Sequence, residues 1–168
     1  MKESIGMTWV FTLVITLLVV FSGFIALSTN YARTFNIKDE IVSIITKEGG
    51  VDTNTITKIN NHLKKIGYGG KGNCPGTGCW YGFNKNNNSS VVTSYASDVN
   101  YCIKKSETAN INAIGHPERK YYSVAVFFRV DLPLIRNVFY LTIEGETPVI
   151  VRPGNKDRMI NESSCINT

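Results

Sequence analysis

The residues best equipped for chemistry in this chain are its four cysteines, Cys74, Cys79, Cys102 and Cys165. A thiol can crosslink, ligate a metal or act as a nucleophile. A zinc site wants paired CxxC spacings or clustered histidines. Here Cys74 and Cys79 are separated as CxxxxC, and His62 and His116 stand alone. No metal or other cofactor is therefore assigned. An even cysteine count in a loop-rich domain reads as two disulfides, and three pairings are possible. A Cys74–Cys79 bridge is sterically feasible. Cys74–Cys102 with Cys79–Cys165 is preferred, because it ties a glycine-rich loop and the tail to the rest and closes longer loops. Disulfides persist in oxidising compartments, so the cysteine-bearing part is expected outside the cytoplasm.

Two short segments resemble catalytic motifs without meeting their requirements. Gly78-Cys79-Trp80 is similar to the segment around the nucleophile of papain-like proteases. That cysteine must open a helix, whose N-terminus lowers its pKa. The sequence that follows, YGFNKNNNSS, cannot form a buried helix. GYGGKG, residues 67–72, is similar to a phosphate-cradling loop, but such a loop needs GK[ST] opening a helix after a strand. Lys71 is followed by Gly72-Asn73, and a helix precedes; the segment reads as a disorder-leaning loop pinned by a disulfide. Glu144 and Glu146 alternate on one strand face and read as solvent-exposed. Asp131 reads as a turn former. Asn87, Asn88 and Asn161 open N-x-S sequons. No catalytic residue is assigned, and the chain is not expected to be an enzyme. The aromatic run Trp80, Tyr81, Phe83 is the candidate partner-binding surface.

The elements that must position these residues begin with a long helix. From Ser4 to Ala32 no residue is charged, and Met7 to Leu27 is almost wholly apolar. About 20 helical residues cross the hydrocarbon of a bilayer. Trp9 and Tyr31 flank the run, where amphipathic rings favour the interface. A cleaved signal would have a shorter apolar core and a small-x-small site. Residues 1–6 are thus expected as a cytoplasmic tail, 7–30 as a retained transmembrane helix and 31–168 as one extracytoplasmic domain. Ser22, Gly23 and Ala26 are small enough to let a neighbouring helix approach in the membrane.

Beyond Tyr31 the helix is predicted to continue to Glu48, with Phe35, Ile37, Ile41, Ile44 and Ile45 forming an apolar stripe. Gly49-Gly50 ends it. A second helix follows, capped by Thr53 or Asn54 and buried through Ile56, Ile59, Leu63 and Ile66. Strands are predicted over Asn100–Lys104, Tyr121–Val130, Val138–Ile143 and Val149–Val151, with a proline-bent link at Asp131–Ile135. The fold class is α+β: a long helix, a short helix and a small antiparallel sheet. The 18 Lys and Arg against 13 Asp and Glu leave a net charge of +5. The lysines are scattered rather than striped between aromatics, which argues against nucleic acid as a partner. They suit a solvated surface facing an anionic envelope.

This layout resembles TadE-like minor pseudopilins of the tight-adherence (Tad/Flp) pilus system, and more broadly pilin-like proteins. FTLVITLLVVFSGFIALSTNYARTFNIKDEIVSII is similar to that family's N-terminal helix, and FFRVDLPLIRNVFYLTIEGETPVIV to its closing strands. The resemblance implies a pilin-like fold in a single-pass plasma-membrane protein, with the N-terminus cytoplasmic and the domain outside. It implies the bilayer and other pilin-like subunits or pilus-assembly membrane proteins as partners. It also implies processing between Gly6 and Met7. The family's prepilins carry a glutamate at the fifth mature position; here Phe11 stands there. A second reading is a single-pass envelope module that docks a wall polymer or protein through its outer domain.

Overall fold

A computed structural model describes residues 2–76, 79–87, 98–107, 118–132 and 135–152. Helix α1 runs unbroken over Lys2–Glu48. It contains no proline, and its only glycines, Gly6 and Gly23, lie in the apolar half. It is followed by α2 (Thr53–Lys65), then β1 (Tyr81–Phe83), β2 (Tyr101–Glu107), β3 (Glu118–Leu132), β4 (Ile135–Glu146) and β5 (Ile150–Arg152). The expected α+β architecture is what the chain adopts.

The junction between the helices is set by local chemistry. Gly49 and Gly50 both take positive φ, which ends α1 without the penalty a side chain would bring. The N-cap of α2 is Asp52, not Thr53 or Asn54: its carboxylate accepts from the Thr55 N–H at 2.7 Å and from the Thr55 hydroxyl at 2.8 Å. A carboxylate one position earlier satisfies an orphan amide and also meets the positive end of the helix. At the other end Gly67, at φ +67, closes α2 as expected.

The sheet is antiparallel, in the order β1-β2-β3-β4, with β5 pairing the start of β3. The register puts alternate residues on opposite faces. Tyr81, Phe83, Tyr101, Ile103, Tyr122, Val124, Val126 and Ile143 share the face that packs on the helices. Ile41 and Ile45 of α1, and Ile56, Ile59 and Leu63 of α2, complete that core with no exposed surface. Each fully buried aliphatic side chain contributes about 1.5–3 kcal/mol. Between β4 and β5, Thr147 substitutes for a strand pair: its N–H donates to the Tyr122 carbonyl and its hydroxyl accepts from the Tyr122 N–H, both at 2.9 Å.

The stripe on the outer half of α1 is as expected at Ile37, Ile41, Ile44 and Ile45, which are buried or pack against the core, but not at Phe35. Phe35 is 41 % exposed, whereas Thr34 and Lys38 are buried beside Ile41 and Ile45. Lys38 lies along Gly145 of β4, where a Cβ would collide with its side chain, and its ammonium pairs with Asp39 at 2.7 Å and sits 3.9 Å from the Phe35 ring. The lysine stem supplies the apolar contact and the head reaches solvent. Lys120 is likewise buried, so the lysines are not uniformly solvated.

Candidate functional site

Two regions are candidates: the bare half of α1, and the ground where that helix meets the domain. From Trp9 to Leu27 the large apolar side chains of α1 are mostly half exposed or more, with Trp9 at 73 % and Phe24 at 66 %. The helix is long and apolar enough to cross a membrane, with a mean hydropathy of 2.7 and none of that window buried by the rest of the chain. Its polar groups are disarmed internally. The hydroxyls of Thr12, Thr16 and Thr29 each donate to the carbonyl four residues back at 2.8–2.9 Å, and Ser22 to Val19 at 2.9 Å. A hydroxyl satisfied by its own helix can enter hydrocarbon at little cost. Ser22 and Ala26 are exposed, and nothing lies within 4 Å of the place a Cβ on Gly23 would take. This stretch is consistent with membrane anchoring. Gly6 and Met7 lie inside the helix, which already starts at Lys2.

The ground above it is a cleft of about 510 Å³. Asn30, Arg33, Thr34, Ile37 and Glu40 of α1 form one wall; His62 and Ile66 of α2, the backbone of residues 67–70 and Phe127–Phe128 of β3 form the other. Tyr31 meets Phe128 edge to face, with centroids 6.5 Å apart. Arg33 and Glu40 make no hydrogen bond or ion pair among the described residues.

Behind the cleft, the glycine-rich loop is a packed cover for the second face of the sheet. Cys74, Trp80, Val99, Cys102, Ala125 and Phe127 cluster there. Gly72 pairs with Val99 in both directions at 3.0 and 3.1 Å. A Cβ at Gly72 would strike the Phe127 ring, and one at Gly70 the Phe127 carbonyl and Tyr68. The glycines therefore serve close approach, not disorder. Next to the start of β2, where Tyr101 pairs Val126, the Tyr68 hydroxyl takes the place of a strand: it accepts from the Phe127 N–H at 3.0 Å and donates to the Phe127 carbonyl at 2.6 Å. Burial pushes the Tyr68 phenol up to about 12, against the opposing pull of the Phe127 backbone. Asn100, almost fully buried, donates to Gly70 at 2.7 Å and accepts from the Lys85 N–H at 3.0 Å. Tyr101 stacks on Phe83 at 5.2 Å and donates to Asn60 at 3.0 Å; burial raises its phenol as well.

The cysteines behave as a crosslinked framework. Cys74 and Cys102 are joined, with Cα atoms 5.8 Å apart. Cys79 is disulfide-bonded too, and its preferred partner Cys165 lies outside the described residues. A disulfide fits a domain held outside the cytoplasm. Among the described residues no cluster of three or more histidine, cysteine, aspartate or glutamate side chains could hold a metal.

The aromatic run is a correction. Trp80 is 4 % exposed, Tyr81 2 % and Phe83 0 %. They do not form a partner surface; residues 81–83 are the edge strand β1, where the sequence alone predicts no strand. The alternation of Tyr81 and Phe83 around Gly82 was the available signal, but three residues are too short a window for periodicity. His116, Asn88 and Asn161 lie outside the described residues. No protein-family model, curated protein or solved structure matches the chain.

Proposed function

We propose that this chain is a membrane-anchored, pseudopilin-like structural component that assists the assembly or anchoring of a surface pilus. One observation carries the reading: a single unbroken helix has a bare apolar half and a second half that serves as the spine of a small α+β domain. A helix of that kind transmits position. Its inner half can pack against other single helices through Ser22, Gly23 and Ala26. Its outer half fixes the sheet at a set height and rotation, because Ile41 and Ile45 are locked in the core. The partners in this reading are the bilayer and other pilin-like subunits or pilus-assembly membrane proteins. The protein sits in the plasma membrane with its N-terminus in the cytoplasm, a direction supported by the disulfide.

The envelope-module alternative relied on exposed aromatics, and Trp80, Tyr81 and Phe83 are buried. The test is site-specific photocrosslinking in the source cells, with the crosslinker at Ser22 or Ala26. Adducts to other single-helix subunits, together with loss of sheared surface filaments when the gene is deleted, are expected. Unchanged filaments and no such adduct would refute the proposal.

A further inference from the structure

We infer that the cleft between α1, the end of α2 and β3 is a binding site for a dipolar phospholipid headgroup, one bearing a phosphate and a primary ammonium, as in phosphatidylethanolamine. The inference rests on reading α1 as a membrane helix. Its height argues for lipid. The apolar run ends at Leu27, and at about 1.5 Å per residue Arg33 lies roughly 9 Å farther along the axis. A long arginine side chain reaching back toward the bilayer meets the phosphate layer from there. The Tyr31–Phe128 ring pair lies at the lower edge of the same cleft, an interfacial position for both rings.

The charges argue for a dipolar group. Arg33 is exposed, lacks a partner among the described residues and offers a planar fork of donors suited to phosphate. Glu40, half-buried on the same wall, is also without a partner among the described residues. Residues seven apart share a helix face, about 10 Å along the axis. That is too far for the two to satisfy each other directly, yet a short zwitterion can sit between them. The opposite wall carries His62, Ile66 and Gly67, and the last turn of α2 is itself basic through His62, Lys64 and Lys65, so Glu40 is the group that selects the ammonium. A purely anionic headgroup would meet Arg33 favourably but Glu40 unfavourably. Ile37, Phe127 and Phe128 line the cleft with apolar surface against which the two methylenes between phosphate and ammonium can lie.

The experiment uses the full chain reconstituted into phosphatidylcholine vesicles doped with either phosphatidylethanolamine or phosphatidylglycerol. Lipids retained after mild extraction are counted by native mass spectrometry. Wild type is expected to retain phosphatidylethanolamine roughly tenfold over phosphatidylglycerol, the ratio one charge-assisted hydrogen bond supplies. Arg33→Gln lowers retention of both, Arg33→Lys restores part of it, and Glu40→Gln removes the preference. Neither side chain makes a polar contact among the described residues, so circular dichroism is expected to be unchanged. Equal retention of the two lipids by wild type, or unchanged retention in Arg33→Gln and Glu40→Gln, would overturn the site while leaving the anchor intact. Failure of the protein to enter vesicles at all would overturn the anchor as well.

Discussion

The two faces of the sheet are covered in different ways. On one face two regular helices contribute Ile41, Ile45, Ile56, Ile59 and Leu63 to a large apolar core. Helices satisfy their own backbone, so this face needs little beyond side-chain volume. On the other face an irregular loop covers a smaller cluster around Trp80, Cys102 and Phe127. Irregular backbone cannot satisfy itself when buried. That face therefore uses a disulfide, glycines that allow contact with Phe127 and the Asn100 side chain bonded to backbone, while Tyr68, whose ring packs in the helix-face core, reaches the Phe127 backbone with its hydroxyl. The lesson is that one sheet can be held by bulk on one side and by individually placed polar contacts on the other.

The contrast is broken most sharply by removing volume from the helix face. Ile59→Ala is expected to destabilise the domain by about 4 kcal/mol, read as a lowered denaturation midpoint of the full chain in detergent. On the loop face, replacing Cys74 and Cys102 together with alanine should lose about 3.5 kcal/mol, since the bond closes a loop of sequence separation 28. The two losses should add, because the clusters lie on opposite faces. A marked departure from additivity would show that the faces form a single cooperative layer. Gly72→Ala comes next, at about 2 kcal/mol, because the new methyl must displace the Phe127 ring.

The same contrast explains what sequence reading could reach. The helix face was legible because period-3.6 spacing of Ile41, Ile45, Ile56, Ile59 and Leu63 is a long-range signal repeated over many residues. Strands β2 to β5 were legible from β-branched and aromatic runs, though β3 and β4 extend further, because cross-strand pairing continues past the strongly patterned residues: β3 begins at Glu118 and β4 ends at Glu146. The loop face was not legible. Nothing local tells that Gly70 and Gly72 lie against Phe127, far away in sequence, or that Tyr68 fills a gap in a ladder. For the same reason the burial of Trp80, Tyr81 and Phe83 is not legible: Tyr81 and Phe83 are covered by the helix-face core and Trp80 by the loop-face cluster, neither of which shows in their own pattern. The cleft is not legible either, since Arg33 and Glu40 of α1 meet His62, Phe127 and Phe128 only when α2 and β3 pack against that helix.

The smallest effect tests the polar side of the comparison. Tyr68→Phe keeps the ring's volume but leaves the Phe127 N–H and carbonyl without the hydroxyl that serves both. A loss of about 1.5 kcal/mol is expected, the penalty of an unsatisfied buried group more than of lost packing. The pH dependence separates this from a packing defect. The Tyr68 phenol is held protonated up to about 12 in the folded chain, above the ordinary value of 10.0. Such a group contributes stability that is fully present below pH 10, where the unfolded chain's tyrosine is protonated as well. That contribution is lost as the pH rises from 10 toward 12, because the unfolded state releases its proton first. Wild type should therefore lose stability over that window in equilibrium unfolding, and Tyr68→Phe should lose less of it. Tyr101, raised by burial on the helix face, retains its own share of the slope in the variant. Parallel curves for the two proteins between pH 10 and 12 would mean that the hydroxyl is not buried at the start of β2, where it bonds the Phe127 backbone.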